Sequence, residues 1–193
     1  MARAADRRGV QFRPAPLDGI YEIDLPRFDD DRGHFSRIFA AEEFEWTGLF
    51  SSGPAHINMS RTLEAGTVRG LHWQEVAPGS VGEAKFVACV SGKVLDVAVD
   101  VRPDSPTFGE HCAIELTDSN QRAVLIPPGF AHGIQALAPT SIIVYVNAAP
   151  YNPSLERGLR PDDPTLAIDW PLPIRNLSER DRSHPSLSEL RPQ

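Results

Sequence analysis

The stretch Val68-Arg-Gly-Leu-His-Trp-Gln74 carries apolar side chains at alternating positions, which is typical of a β-strand with one buried face. Strict alternation predicts that His72 and Gln74 point to one face of the sheet, while Arg69 and Leu71 point to the other. A polar pair at the centre of a strand is costly unless it is hydrogen-bonded or used in function. A hydrogen-bonded core histidine and a functional histidine are both compatible with this pattern.

The composition is that of a globular chain of one domain, with 193 residues and 41% hydrophobic side chains. The net charge of −7 and the lack of a long basic block argue against non-specific nucleic-acid binding. We expect no membrane span, because no apolar run is long enough, and no signal peptide in the charged start Met1–Arg8. Cys89 and Cys112 lie in apolar runs, so we expect buried free thiols and a cytoplasmic location.

Short β-type segments separated by glycine and proline turns predict an all-β sandwich or barrel. The predicted strands cover residues 21–25, 34–39, 56–61, 67–74, 85–90, 93–101, 111–117, 121–126 and 141–146, with a short helix at 40–46. Two hairpins are predicted, one turning at Ser91-Gly92 and one at residues 118–120. Residues 1–14 are expected to form a mobile tail, residues 75–83 a loop, and residues 150–193 an irregular extension with a helix-capping pattern, Ser178-Glu-Arg-Asp181.

Several side chains on separate segments have both a structural and a functional interpretation. Lys85 is the first residue of an apolar strand. Its charge either prevents the strand edge from pairing with another chain or points into a cavity. Tyr145 lies in a buried run, and its hydroxyl needs a partner. His132 follows a turn and either caps a backbone carbonyl or serves a site, and the arginines beside Gly33 and Gly70 suit surface ion pairs or phosphate.

The elements Gly70-Leu-His72 and Pro128-Gly-Phe-Ala-His132 resemble the two half-motifs of the cupin barrel. Metal-binding cupins usually carry His-x-His and a following Glu in the first motif, whereas this chain has His72-Trp-Gln74. A lysine ammonium from Lys85 in the same pocket would repel a divalent ion, so we expect no metal. A base, a cation and a phenol remain, which suit proton transfer beside a carbonyl group.

An ordered series of blocks over residues 15–190 resembles the dTDP-4-dehydrorhamnose 3,5-epimerase family of nucleotide-sugar epimerases. The blocks are Asp31-Arg-Gly-His-Phe35, Asn58-Met-Ser60, Val68–Gln74, Gly92–Asp100, Arg102–Gly109, Ile126–Gly133, Tyr151 with Glu156, Asp163-Pro164 and Ser178-Glu-Arg-Asp181. The resemblance implies a cupin-like jelly-roll barrel with short peripheral helices, a homodimer and a nucleotide-sugar substrate.

The resemblance also implies a role for each matching residue in the inversion of a dTDP-4-keto-6-deoxyglucose. The C4 ketone of that sugar acidifies the hydrogens on C3 and C5. By the resemblance, His72 is the general base and Asp181 is the carboxylate that orients it. Lys85 matches the lysine that stabilises the enolate oxygen, and Tyr145 matches the tyrosine that returns a proton from the opposite face. The resemblance therefore implies that the reaction needs no redox cofactor.

Eight further positions match substrate-binding residues of the family. They are Arg32, Phe35, His56, Asn58, Arg69, His132, Tyr151 and Glu156. His56 stands where the family commonly has glutamine, and Arg37 stands where it commonly has glutamate. These departures leave open the sugar, the nucleotide and whether C3, C5 or both are inverted. A ketoisomerase, a metal-dependent oxygenase and a non-catalytic binding module are the alternative functions.

Overall fold

The computed structural model describes residues 9–76 and 82–190, and this part of the chain is mostly antiparallel β-structure. The strands in chain order are β1 (Gln11–Pro14), β2 (Tyr21–Asp24), β3 (Arg27–Asp30), β4 (Gly33–Ser36), β5 (His56–Thr62), β6 (Val68–Gln74), β7 (Lys85–Ser91), β8 (Lys93–Asp100), β9 (His111–Thr117), β10 (Arg122–Ile126), β11 (Phe130–Ala136), β12 (Ser141–Asn147) and β13 (Glu156–Gly158). A 3₁₀ helix spans Ala41–Thr47, and two one-turn helices follow late in the chain, α1 (Glu179–Arg182) and α2 (Leu187–Leu190).

Two sheets form a sandwich, which confirms the prediction of an all-β, jelly-roll architecture. The six-stranded sheet has the order β1-β2-β10-β7-β12-β5, and the five-stranded sheet has the order β13-β6-β11-β8-β9. Strands β3 and β4 form a separate hairpin outside both sheets. No helix among the described residues has the length and apolar character needed to cross a bilayer.

Three apolar clusters hold the layers of the fold together. Between the sheets, Val87 of β7 lies in one cluster with Ile134 of β11. On the outer face of the six-stranded sheet, Phe86 packs against Phe44 of the 3₁₀ helix. On the outer face of the five-stranded sheet, strand residues pack against the C-terminal extension, including Leu159. Central strands such as β7 and β8 are therefore buried on both faces, which explains their continuous apolar sequence.

The two predicted hairpins are wrong. Strand β7 pairs with β10 and β12, whereas β8 pairs with β9 and β11 in the opposite sheet. Likewise β9 and β10 belong to different sheets, although only a short turn separates them. Gly92, with φ of +77°, carries the chain from one sheet to the other. A short turn between two β-segments specifies a reversal of direction, but it does not specify which sheet the second segment joins.

The ends of the chain are more ordered than the sequence suggested. Residues 11–14, predicted as part of a mobile tail, form β1 and pair with β2, while residues 1–8 lie outside the described residues. The predicted loop over 75–83 includes 77–81, which also lie outside them. The capping pattern before α1 is confirmed, because the Ser178 side chain accepts a hydrogen bond from the backbone N–H of Asp181 at 3.0 Å.

Strict alternation fails in the middle of β6 because this strand carries one extra residue. His72 pairs with His132 of β11, and Arg69 pairs with Ile134, so three steps along β6 match two steps along β11. Such a β-bulge changes the direction of the side chains that follow it. Arg69 and His72, which alternation would place on opposite faces, consequently line the same cavity.

The bulge brings two backbones unusually close together. Gly70 has φ of +123°, and a Cβ atom at this position would lie 2.6 Å from the Cα of Gly133. Glycine suits the position for two reasons, since the conformation disfavours other residues and the approach leaves no space.

We expect Gly70→Ala to lower the free energy of unfolding by about 1–3 kcal/mol more than Gly33→Ala does. Gly33 is a matched control, because its φ of +134° is similar but a Cβ atom there would have nothing within 4 Å. Chemical denaturation of both variants measures the difference. Equal losses of stability would show that the close approach of the two strands contributes nothing.

Candidate active site

A cavity of about 390 Å³ lies between the two sheets and is lined by residues of both. From the six-stranded sheet it receives His56, Asn58, Lys85, Tyr145 and Asn147, and from the five-stranded sheet Arg69, His72, Gln74, His132 and Glu156. Tyr151, from the segment before β13, also lines it. The structure therefore brings together three of the four predicted catalytic residues directly, with Asp181 bonded to one of them.

His72 and Asp181 form a short, partly buried pair. His72 Nε2 lies 2.7 Å from Asp181 Oδ1, and the carboxylate is only 7% exposed. Burial raises the pKa of Asp181, but the hydrogen bond and charge of His72 outweigh it, so this pKa lies below its usual value. An ionised carboxylate only accepts hydrogen bonds, so Nε2 carries the proton and Nδ1 is the basic nitrogen. The pair is suited to accept a proton at Nδ1 and to stabilise the resulting imidazolium.

Lys85 is held beside this pair by two contacts. Its Nζ donates to the backbone carbonyl of His72 at 3.2 Å and lies 3.3 Å from Oε2 of Glu83. Glu83 in turn accepts a hydrogen bond from the Asn147 side chain at 2.6 Å. The ammonium is thus fixed in position on the cavity wall, where it can face a negatively charged oxygen of a ligand.

Tyr145 lies on β12, in the sheet opposite His72. Its ring packs against the cluster between the sheets, while the residue also lines the cavity. Within residues 9–76 and 82–190, no group forms a hydrogen bond with its hydroxyl. The sequence predicted a partner for this hydroxyl, but the residue is only partly buried, and the phenol is free to interact with a ligand.

A second imidazole–carboxylate pair lies in the same cavity. His132 Nε2 is 2.8 Å from Oδ2 of Asp96, a buried residue of β8. Nearby, the hydroxyl of Tyr151 donates to Glu156 at 2.5 Å, and Arg180 forms an ion pair with the same carboxylate. Burial raises the pKa of Glu156, but the bonds from the tyrosine and the arginine hold this pKa below its usual value. These groups suit recognition of hydroxyl and phosphate groups.

Two predicted binding residues lie away from this cavity. Arg32 and Phe35 belong to the β3–β4 hairpin, where Arg32 is 89% exposed and forms an ion pair with Asp30 at 2.6 Å. Neither residue lines the cavity of its own chain. Arg37, the charge reversal noted in the sequence, is likewise outside and bonds Glu43 at 2.6 Å.

Sequence reasoning missed three residues that shape the site, namely Glu83, Asp96 and His184. Asp96 offered a signal, since a lone acid inside the apolar run of β8 needs a buried partner. Glu83 also offered a signal, because it lies two residues before Lys85. Side chains two residues apart on an extended segment point to the same face. His184 offered no signal, because its contact with the His72–Asp181 pair depends on how the C-terminal extension folds back.

Comparison with known proteins gives a consistent result. The family model described as dTDP-4-dehydrorhamnose 3,5-epimerase matches residues 14–189. A dTDP-4-dehydrorhamnose 3,5-epimerase of Sinorhizobium fredii is 42% identical over 182 residues, covering 94% of this chain and 91% of the relative. A dTDP-4-dehydrorhamnose 3-epimerase of Streptomyces niveus is 37% identical over 182 residues, covering 94% and 86%.

A solved structure extends the likeness to the fold. The 3,5-epimerase of Legionella pneumophila, determined in complex with dTDP-4-keto-L-rhamnose, superimposes with a TM-score of 0.84 and 34% identity. The match covers 95% of this chain and 98% of that one. With the family model matching most of its length, this chain belongs to the dTDP-4-dehydrorhamnose 3,5-epimerase family.

Proposed function

We propose that the protein is an epimerase that inverts C3, C5 or both of a dTDP-4-keto-6-deoxyhexose. Membership of the family and the sugar nucleotide bound by the Legionella relative support the substrate class. The observation that carries the mechanism is that His72 and Tyr145 line one cavity from opposite sheets. Inversion requires a base on one face of the carbon and an acid on the other, and this arrangement supplies both.

In the first step, Nδ1 of His72 removes the proton from a carbon beside the C4 ketone. The electron pair of the C–H bond forms a carbon–carbon double bond, and the carbonyl electrons move onto O4. The ion pair with Asp181 at 2.7 Å stabilises the imidazolium that forms. Lys85 faces the negative charge on O4, and its contacts with Glu83 and the His72 carbonyl hold it there before the charge develops.

In the second step, the hydroxyl of Tyr145 gives its proton to the opposite face of the same carbon. The carbonyl reforms, the carbon is inverted, and the phenolate regains a proton as His72 loses one to solvent. The reaction consumes no redox equivalent, so these residues need no redox cofactor for it. Arg69, Asn58 and His132 are assigned to the binding of sugar and diphosphate, since all three line the cavity.

We also propose a homodimer in which the β3–β4 hairpin of one protomer reaches the cavity of the other. Strand β5 is an edge strand, and its outward side chains Ile57 and Met59 are 65% and 68% exposed. An apolar edge of this kind is suited to pairing with a second chain. The exposed Phe35 and Arg32 of the hairpin then contact the partner's substrate, which accounts for their absence from the cavity of their own chain.

A cytoplasmic location fits the two cysteines. Cys89 and Cys112 are both free and buried, and burial raises the pKa of Cys89 to about 11 and that of Cys112 to about 12. Unpaired thiols are usual in reducing compartments.

His72→Ala and Tyr145→Phe are expected to fail in different ways. Loss of the base should lower both deuterium exchange and product formation by about 10²–10⁴-fold. Loss of the phenol should abolish inversion yet leave measurable exchange, because His72 still removes and returns a proton on one face. NMR spectroscopy in deuterated water follows both quantities, with Tyr21→Phe as the control, since Tyr21 packs against aromatic rings outside the cavity. Inversion at the unaltered rate by Tyr145→Phe would refute its role.

Lys85→Met removes the charge while keeping most of the side chain. We expect kcat to fall by about 10²–10³-fold with a smaller change in KM, because the lysine acts on charge that develops during the reaction. Lys93→Met is the matched control, as Lys93 is partly exposed and paired with Glu115 at 2.6 Å. An unchanged kcat for Lys85→Met would contradict the assignment.

The dimer is tested by mixing two inactive variants. Arg32→Ala and His72→Ala homodimers should each be impaired, but exchange of subunits should create heterodimers with one intact site. At equal proportions, about a quarter of all sites should regain activity. The oligomeric state is followed by analytical ultracentrifugation, in which Met59→Asp should favour monomers. A mixture that regains no activity although subunits exchange would exclude a shared site.

A further inference from the structure

A second imidazole lies behind the His72–Asp181 pair, on the side of the C-terminal extension. His184 Nε2 is 4.0 Å from Asp181 Oδ1, and the rings of His72 and His184 meet edge to face with centroids 5.4 Å apart. One ligand atom from each of His72, Asp181 and His184 lies within 4.8 Å of the other two. No other group of three such ligands occurs at this spacing in the described part of the chain.

The Nε2 atom of His184 is an unsatisfied polar group in this cluster. It is buried and forms no hydrogen bond with any residue in the ranges 9–76 and 82–190. A buried nitrogen without a partner is unfavourable unless something satisfies it, and here it lies beside an ionised carboxylate.

Two of the cations around this cluster are paired with carboxylates, whereas Arg69 donates to the Thr62 hydroxyl and to the Arg61 carbonyl. Lys85 is paired with Glu83, and Arg180 is paired with Glu156. Neither Lys85 nor Arg180 is paired with Asp181, whose carboxylate contacts only imidazoles in the ion pairs of the described residues. The sequence predicted that Lys85 would repel a divalent ion. The carboxylate of Glu83, 3.3 Å from Nζ of Lys85, reduces that repulsion.

We propose that His72, Asp181 and His184 bind Zn²⁺, and that this binding inhibits the enzyme. Two imidazoles, one carboxylate and a water form a common four-coordinate zinc site. Zinc–ligand bonds of about 2.0–2.1 Å in a tetrahedral site place the ligand atoms roughly 3.3 Å from one another. The observed separations of 2.7 and 4.0 Å from Asp181 bracket that value. A groove that is lined by His72 and Asp181, and also by Arg61, Arg69 and Arg180, reaches two of the three ligands.

Inhibition follows from the tautomer of His72 and rests on the proposed function. In the free enzyme Nε2 carries the proton and Nδ1 is basic. Zinc takes the lone pair of Nε2, so the single proton of the neutral ring moves to Nδ1. The nitrogen that would accept the substrate proton is then occupied, and abstraction stops without any loss of substrate contacts elsewhere in the cavity.

Binding is measured first with Zn²⁺ alone, by calorimetry on the metal-free full-length protein. One ion per protomer is expected, and His184→Ala or His184→Gln should weaken binding by at least about tenfold. His111→Ala is the matched control, because His111 lies on β9 outside both the cavity and the groove. Thermal denaturation establishes that each variant is folded. Zinc affinity that is equal in the wild type and both His184 variants would overturn the site.

Deuterium exchange into the sugar is then followed during a zinc titration. Zinc should suppress exchange, a chelator should restore it, and Mg²⁺ should have no effect because it prefers oxygen ligands. The His184 variants should need at least about tenfold more zinc for the same suppression. An active enzyme that does not bind zinc would overturn this inference alone. A protein that binds zinc at this cluster but exchanges no protons would support the site and overturn the proposed function instead.

Discussion

The extra residue in β6 is the constraint on which the geometry of the site depends. It directs the side chains of Arg69 and His72 toward the same cavity. It directs the side chain of Leu71 into the apolar layer on the other face of the sheet. There the backbone of Leu71 exchanges two hydrogen bonds with Leu159, at 3.2 and 3.0 Å. The C-terminal extension is thereby fixed against the bulge, and the same extension carries Asp181 to the ring of His72. One local irregularity thus orients the base and anchors the segment that supplies its carboxylate.

The two sheets contribute different chemistry to the cavity. The five-stranded sheet supplies imidazoles, each paired with a buried carboxylate, as in His72 with Asp181 and His132 with Asp96. The six-stranded sheet supplies Lys85 and Tyr145, together with the imidazole of His56. Because both sheets are packed on both faces, these groups are held by rigid strands. Positioning before the reaction is what makes charged groups effective in stabilising charge that develops later.

The sequence predicted the parts of this structure that are local. Alternation and turn residues placed most strands within one or two residues, since these patterns report the environment of neighbouring side chains. They misplaced the partners of β7, β8, β9 and β10, because sheet membership depends on the whole topology. The residues alone predicted groups suited to proton transfer. The catalytic role of each group came from the resemblance to the epimerase family. Asp96 and His184 were missed because each contacts a histidine that is distant in the chain, His132 and His72 respectively. Arg32 was predicted to bind substrate, but it does not line the cavity of its own chain.

The central claim is that protons are exchanged at a carbon beside the C4 ketone and returned on the opposite face. Proton NMR of the wild-type protein with dTDP-4-keto-6-deoxyglucose in deuterated water tests it most directly. The account predicts deuterium at C3, C5 or both, present in inverted product, and the labelled position identifies a single or a double epimerase. A ketone shifted to C3 with no inverted carbon, or bound ligand that incorporates no deuterium, would contradict it.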